Sequence, residues 1–181
     1  MKTFNIKKFE ENKGNRLMSN QYWYTLENYD VREFSFDDTN TNTKIYQRVI
    51  TKEFNPFKSY YYYYDNGIIS KKVLNFNNST LTIKEYNRNG ELVKETDFDK
   101  NFKHSFEQIH DFVLKEKNID IYDTRQAVAL RHDTPHSPLK KYYQIHVLKS
   151  SFVDGQWYSQ PNYSFLIADE TGQIVKSSEK K

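Results

Sequence analysis

The sequence predicts an α+β fold in which antiparallel β-meanders pack against one amphipathic helix at about residues 102–117. Two Asn-Gly pairs, at 66–67 and 89–90, each separate runs of β-forming residues, and such a pair is a strong signal of a hairpin. Aromatic residues make up 17% of the 181-residue chain, including 15 Tyr and 13 Phe, which favours strands over a helical bundle. One later segment combines a helix-capping signal with helical periodicity.

Residues 1–98 are expected to form a β-rich antiparallel meander with a short N-terminal helix near residues 3–12. The β pattern begins at Tyr22, and residues 44–54 alternate with the period of two that a strand requires. Asn55-Pro56 breaks that strand. With the two Asn-Gly hairpins included, this half holds about six strands at the spacing of a meander.

A two-residue type I′ turn at each Asn-Gly pair requires positive φ at both residues and fixes the register of each hairpin. In the second hairpin it predicts three opposite-charge pairs, each worth about 0.2–1 kcal/mol: Arg88 with Glu91, Glu85 with Lys94, and Lys84 with Glu95. In the first hairpin it sets Tyr64, Tyr62 and Tyr60 against Ile69, Lys71 and Val73. Tyr61 and Tyr63 then lie on the opposite face, so both faces of this strand are aromatic.

Two interpretations of the tyrosine run at residues 60–64 stay open. In the first, the strand is covered on both sides, since tyrosine rings bury well while their hydroxyl groups reach water. In the second, the exposed rings form a surface for a protein partner, because aromatic side chains are enriched in the cores of interfaces.

Residues 99–181 are expected to form a helix followed by an antiparallel meander, as a second lobe or as part of one continuous domain. Ser105 and Gln108 have the spacing of a capping box, and Asn118 suits the end of the helix. Residues 127–132 are ambiguous between helix and strand. Residues 140–148 alternate as a strand with Tyr143, Ile145 and Val147 on its buried face, and residues 162–178 form a last hairpin.

Composition excludes several classes of function. The chain has no cysteine, so it has no disulfide, no thiolate metal site and no cysteine nucleophile. A formal net charge of +3 from 27 basic and 24 acidic residues argues against a nucleic-acid partner. Charged residues near the start interrupt any apolar signal segment, and no stretch is long enough for a membrane span. We therefore expect a cytoplasmic protein without a membrane partner.

Residues 60–98 resemble the MORN-variant repeats of YwqK-like proteins, in which Tyr-x-x-Asn-Gly-x-Leu marks each hairpin. Residues 86–92 match that pattern fully and residues 64–69 match it approximately. Bacterial toxin antidotes are often found among such proteins. The resemblance therefore implies an antitoxin or immunity protein that works by binding.

Residues 102–176 are similar to PepSY-type or cystatin-like units, in which a helix precedes a β-meander. The matching residues are Tyr143 to Val147 and Tyr163 to Val175. The sequence departs from that pattern in the insert around residues 133–139. Such units act mostly as binding or inhibitory modules, and neither resemblance implies an active site.

One polar cluster could carry chemistry: His132, Asp133 and His136 could approach a divalent ion, because imidazole and carboxylate are zinc ligands. No fourth ligand follows at a recognised spacing. The competing interpretation is a solvated loop in which Asp and Pro set a turn. We expect no cofactor and no metal.

The combined prediction is a non-enzymatic immunity protein that neutralises a secreted effector toxin by direct binding. The expected contact residues are Tyr61, Tyr63, Asp65, Asp154, Trp157 and Tyr158. Two alternatives come from other classes. One is a ligand-binding or metal-binding roll, or an enzyme, that uses the loop from His132 to His136. The other is a structural protein that pairs with its own copies through an uncovered sheet edge.

Overall fold

A computed structural model of the protein describes residues 3–16, 18–39 and 41–178. Within these ranges the fold is α+β, with two α-helices and eleven strands in two antiparallel sheets, as the sequence predicts. The chain forms two compact units. The first comprises residues 1–53, 57–76 and 80–97, and the second comprises residues 54–56, 77–79 and 98–181.

The first unit is a seven-stranded meander in which each strand pairs with the next along the chain. One short helix, α1 (Ile6–Asn12), precedes it, and the Asn5 side chain caps the helix by accepting a hydrogen bond from the Lys8 amide at 2.9 Å. The strands are β1 (Gln21–Leu26), β2 (Tyr29–Asp38), β3 (Thr43–Lys52), β4 (Phe57–Tyr63), β5 (Ile69–Phe76), β6 (Ser79–Tyr86) and β7 (Leu92–Asp97).

Helix α1 covers one end of one face of this sheet. Phe9 from the helix and Phe4 just before it pack on Tyr46, Tyr63 and Ile69, and all five side chains are buried. The ring of Phe4 stacks on that of Tyr46 with centroids 4.9 Å apart. This aromatic cluster is a buried core of the first unit, and the burial of its large rings stabilises the unit.

The two Asn-Gly turns are not the predicted type I′ turns, because within each pair only the glycine has positive φ. At the first turn the Gly67 amide donates to the Tyr64 carbonyl at 2.9 Å, and the Tyr64 amide donates to the Ile68 carbonyl at 2.8 Å. This pattern is a type I turn followed by a glycine bulge. The bulge adds one residue to the loop, so Tyr63 and not Tyr64 lies opposite Ile69.

Beyond the bulges the predicted register is confirmed. Tyr62 faces Lys71, Tyr60 faces Val73, Lys84 faces Glu95 and Glu85 faces Lys94. The last two pairs form ion pairs at 3.0 Å and 3.6 Å. The predicted pair of Arg88 with Glu91 is wrong, since Arg88 instead donates to Asp65 at 2.8 Å. The extra loop residue has moved Arg88 out of the ladder.

The second unit is a four-stranded antiparallel sheet with the strand order β11-β10-β9-β8 and one helix. Its elements are α2 (Phe106–Lys117), β8 (Ala127–Asp133), β9 (Lys141–Val153), β10 (Gln156–Ala168) and β11 (Ile174–Ser177). The helix begins four residues later than expected. The Ser105–Gln108 capping box and the left-handed Asn118 at its end are both confirmed. The ambiguous segment is the strand β8.

Helix α2 buries Phe106, Ile109 and Val113. Tyr143 and Ile145 on β9 are also fully buried, as predicted. The rings of Phe106 and Tyr143 meet edge to face with centroids 5.3 Å apart. Burial raises the pKa of the Tyr143 hydroxyl well above its ordinary value, so this group stays neutral and donates to the His104 carbonyl.

The hairpin of β1 and β2 is not predicted from the sequence. Residues 22–36 show one continuous β pattern, yet the chain reverses at Glu27 and Asn28 between β1 and β2. Glu27 takes a positive φ of 54°, which is uncommon for this residue type. Asn28 is the one turn-forming residue at the position, and Glu27 beside it disguises the turn.

Two glycines with nearly equal φ permit a matched test of a close backbone approach. A Cβ at Gly67 (φ +77°) would lie 2.8 Å from the Phe4 carbonyl oxygen, whereas a Cβ at Gly155 (φ +79°) would meet nothing within 4 Å. We expect Gly155→Ala to lower the free energy of unfolding by about 1 kcal/mol through backbone strain alone. Gly67→Ala should cost about 2–3 kcal/mol, because the clash adds to the same strain. Equal losses in urea denaturation would contradict the close approach.

Candidate functional site

The central hairpin of the second unit extends beyond its neighbours in the sheet. Strands β9 and β10 are each 13 residues long. Strand β8 pairs with β9 only up to Val147, and β11 pairs with β10 only from Phe165 onward. Residues 149–160 therefore form a two-stranded arm, in which the pairing runs from Lys149 opposite Gln160 to the turn. Both outer edges of the arm carry backbone groups outside the ladders of the sheet.

A tight turn closes the arm. Among the described residues, it is the one turn in which two adjacent loop residues both have positive φ and join strand residues that pair directly. Asp154 and Gly155 have φ values of 51° and 79°, and Val153 pairs with Gln156 directly across the loop. This is the conformation of a type I′ turn, which matches the right-handed twist of a hairpin. The turn holds the end of the arm in a defined register.

Four large apolar side chains stand exposed beside this turn. Phe152, Val153, Trp157 and Tyr158, here called the arm tip, keep between 41% and 60% of their surface accessible. Phe152 lies opposite Trp157 and their ring centroids are 5.4 Å apart. The register places Val153 and Tyr158 on the opposite face of the hairpin from Phe152 and Trp157. Exposed apolar side chains on both faces of one hairpin end indicate a site of interaction.

A cation–π contact also holds the Trp157 side chain in place. The Arg125 guanidinium lies 4.8 Å from the Trp157 ring centroid and 4.6 Å from that of Phe54, which belongs to the same unit. Asp123 holds Arg125 in place by accepting its Nη2 at 2.7 Å and its Nε at 2.9 Å. The tryptophan is thus ordered before any partner arrives, so binding costs little side-chain entropy.

The Asp123–Arg125 pair predicts a pH dependence. Hydrogen bonds from Arg125 hold the pKa of the Asp123 carboxyl below its ordinary value, although partial burial opposes this. Because the folded pKa is lowered, the stabilisation is complete above about pH 4 and is lost as the pH falls through the folded value. We expect Asp123→Asn to cost about 1 kcal/mol at pH 7 and progressively less under acid.

Urea denaturation of both proteins between pH 7 and pH 3 measures this difference. Glu116→Gln, at an exposed position on α2, is the matched control and should track the wild type at every pH. A gap between Asp123→Asn and the wild type that stayed constant down to pH 3 would contradict the ion pair.

The predicted contact residues divide between the two units. Asp154, Trp157 and Tyr158 come together on the arm. In the first unit, Tyr61 is half-buried against the aromatic cluster and Asp65 pairs with Arg88. Tyr63 has no exposed surface, so its prediction as a contact residue is wrong. Its side chain lies on the face of the sheet that α1 covers.

The loop from His132 to His136 does not assemble a metal site. His132 stacks on Tyr142 with centroids 4.7 Å apart, Asp133 lies 3.6 Å from Lys141, and His136 is exposed. Across the described ranges, no group of three or more His, Asp or Glu side chains is arranged to hold a metal ion. His132 and Asp133 instead lie at the end of β8, and His136 lies in the loop that follows.

A second candidate site lies on the sheet of the first unit and centres on a buried ion pair. Glu33 and Arg48 face each other across β2 and β3, with the Nε and Nη2 of Arg48 at 2.7 Å and 2.6 Å from one Glu33 oxygen. The same oxygen accepts a hydrogen bond from the Tyr24 hydroxyl at 3.2 Å. Burial raises the pKa of both Tyr24 and Tyr63 to about 12, so neither phenol ionises near neutral pH.

Sequence reasoning missed this ion pair entirely. Glu33 and Arg48 each sit in an alternating strand pattern, where a charged residue ordinarily marks the solvent face. The signal that could have found them is register: once β2 and β3 pair, the two residues fall opposite each other with buried Val31 and Tyr46 on the same face.

Comparison with family models, with curated proteins and with solved structures found no match for the chain. Neither helix in the described ranges is long and apolar enough to cross a membrane. The arm tip and the Glu33–Arg48 ion pair are therefore the two features of the described residues from which a function can be inferred.

Proposed function

We propose that the protein is a non-enzymatic binding module that docks a protein partner through the arm tip. The observation that carries this proposal is the exposure of Phe152, Val153, Trp157 and Tyr158 at the end of a hairpin that extends past its neighbouring strands. These side chains take no part in the buried core of the second unit. Their exposure has a thermodynamic cost that the fold alone does not explain.

The chemistry of the arm tip favours a protein surface as the partner. Trp and Tyr supply large contact area for little loss of side-chain entropy, and they dominate the energetics of protein interfaces. Asp154 at the turn and Lys149 at the base of the arm are the charged residues of the arm. Lys149 thus lies at the margin of the surface and Asp154 at the turn, and a mostly apolar surface with few charges has the composition of an interface core.

The partner that we propose is a secreted effector toxin, which the protein would neutralise in the cytoplasm. The resemblance of residues 60–98 to the MORN-variant repeats of YwqK-like proteins, among which antidotes are found, supports this choice of partner, and the geometry of the arm supports direct binding as the means. An arm of this kind could enter a concave active site and exclude the substrate. Long loops of some binding proteins insert into concave surfaces of their partners in this way.

The test is a capture experiment followed by a growth assay. Affinity-tagged protein is recovered from its native host, and the captured protein is identified by mass spectrometry. That protein is then expressed in a bacterial host, alone and together with this chain. The proposal expects growth arrest by the captured protein alone and full growth on coexpression. A captured protein that leaves growth unaffected would overturn the antidote function.

Self-association would appear in the same preparation. If the tagged chain recovers only untagged copies of itself, and if its apparent mass in solution rises with concentration, the arm joins copies of the protein and the toxin proposal fails. Sedimentation measurements over a hundredfold range of concentration separate the two outcomes.

A further inference from the structure

The first unit contains a pocket that the docking function does not use. It lies on the sheet face that α1 covers at one end, and its volume is about 550 Å³. It is lined by Tyr24, Leu26, Glu27, Tyr29, Val31, Arg48, Ile50, Ser59 and Tyr61. Pockets of roughly 300–1,000 Å³ with apolar walls and a few polar groups are typical sites for small molecules.

The floor of this pocket is polar but carries no net charge. Arg48 is neutralised by the buried carboxylate of Glu33, to which it is joined at 2.6 Å. The Tyr24 hydroxyl donates to that same carboxylate. A buried ion pair is costly to desolvate and is weak as a source of stability, and a ligand above the pair would give its polar groups a role in binding.

The walls are apolar and aromatic. Val31 and Ile50 lie opposite each other on β2 and β3, and the exposed side chains of Leu26 and Tyr29 frame the mouth at the β1–β2 turn. Tyr61 and Ser59 on β4 add hydroxyl groups on the other side. The walls therefore match a flat ring system that also carries a hydrogen-bonding group.

Charge decides which ring systems fit. Glu27 is exposed and lines the pocket, so an approaching anion meets a negative charge while the positive charge of Arg48 is already compensated. A cation finds no available carboxylate at the floor, because the Glu33 oxygen already accepts hydrogen bonds from Arg48 and Tyr24. Neutral molecules avoid both penalties, because desolvation of an uncompensated charge costs far more than that of a hydroxyl group.

We propose that this pocket binds a neutral aromatic molecule of one or two rings that bears a hydroxyl or carbonyl group. Its ring lies between the side chains of Leu26 and Ile50, and its polar group reaches the hydroxyls of Ser59, Tyr61 or Tyr24. The pocket shares no residue with the arm tip, so the result for either proposal leaves the other unaffected.

The test uses two probes with the same rings and different charge. At pH 7, 2-naphthol is neutral and 2-naphthoate is an anion. Titration calorimetry should give a dissociation constant of about 1 mM or tighter for 2-naphthol and a constant at least about tenfold weaker for 2-naphthoate. Amide chemical shifts of the wild-type protein, recorded with 2-naphthol, should change in β1, β2 and β3 near the pocket.

Two variants on the same strand locate the binding. Ile50→Trp fills the pocket and should abolish 2-naphthol binding, whereas Val49→Trp, the adjacent residue on the opposite face of β3, should leave it within about twofold of the wild type. The shift map of the wild type serves as the readout if either variant fails to fold. Absence of 2-naphthol binding, tighter binding of the anion, equal loss in both variants, or shifts confined to the arm tip would each overturn the proposal.

Discussion

Replacing both aromatic rings of the arm tip, as Phe152→Ser with Trp157→Ser, is expected to weaken binding of the captured partner by at least about 100-fold, or about 2.7 kcal/mol. Truncating one well-packed aromatic anchor costs about 2 kcal/mol or more. The two rings touch each other, so their separate effects should not simply add. Titration calorimetry with the purified partner measures the change.

The matched control for this pair is Phe36→Ser. Phe36 is also an exposed aromatic residue, but it lies on β2 in the first unit. We expect its affinity for the partner to equal that of the wild type. A double variant that stayed folded and bound as tightly as the wild type would remove the arm tip from the interface. A comparable loss in Phe36→Ser would point to general stickiness instead of a defined site.

The second large effect is on stability. Tyr63→Ala should lower the free energy of unfolding by about 3–5 kcal/mol, the usual cost of removing a large buried aromatic ring. Tyr63 is fully buried among Phe4, Phe9 and Tyr46, and its hydroxyl lies 3.4 Å from an Arg48 nitrogen. The variant therefore leaves a cavity and withdraws a neighbour from the buried ion pair. Urea denaturation followed by far-ultraviolet circular dichroism measures the loss.

Tyr62→Ala is the matched control, one residue away on the opposite face of β4. Its ring is half-buried and lies under the Lys71 ammonium at 4.7 Å, so we expect a loss of only about 1–2 kcal/mol. Equal losses for the two variants would mean that both faces of the strand are core, and that α1 does not single out the face of Tyr63.

Much of the architecture could be predicted because local rules decide it. The capping box at Ser105 and the left-handed Asn118 bound α2 as the sequence indicates. Two of the three predicted charge pairs of the β6–β7 hairpin, Lys84 with Glu95 and Glu85 with Lys94, are also confirmed. Such features depend on residues that are close in the sequence, and the preferences that govern them are strong.

The failures have a different cause. An Asn-Gly pair permits both a type I′ turn and a type I turn with a glycine bulge, and the choice depends on contacts beyond the hairpin. At Gly67 the carbonyl accepts the Phe4 amide at 2.8 Å, a contact that ties the turn to the N-terminal segment. The alternation of residues 60–64 likewise does not indicate which face of β4 the helix α1 covers. Long-range packing decides both.

The sequence likewise predicts only part of the arm. Asp154-Gly155 carries a turn signal, and the sequence predicts Asp154, Trp157 and Tyr158 as contact residues. What the sequence did not reveal is that β8 and β11 end short of the arm. Strand lengths follow from the pairing of four segments, which no single segment specifies. The exposure of the arm tip is a consequence of that pairing.

Hydrogen–deuterium exchange of the complex with the captured partner tests the docking proposal most directly. In the free protein the outward amides of residues 149–160 should exchange quickly, because they lie outside the ladders of the sheet. We expect peptides that span Phe152 to Tyr158 to become strongly protected on binding, while peptides from α2 stay unchanged. Protection confined to the first unit, with an arm that exchanges as fast as before, would contradict the account.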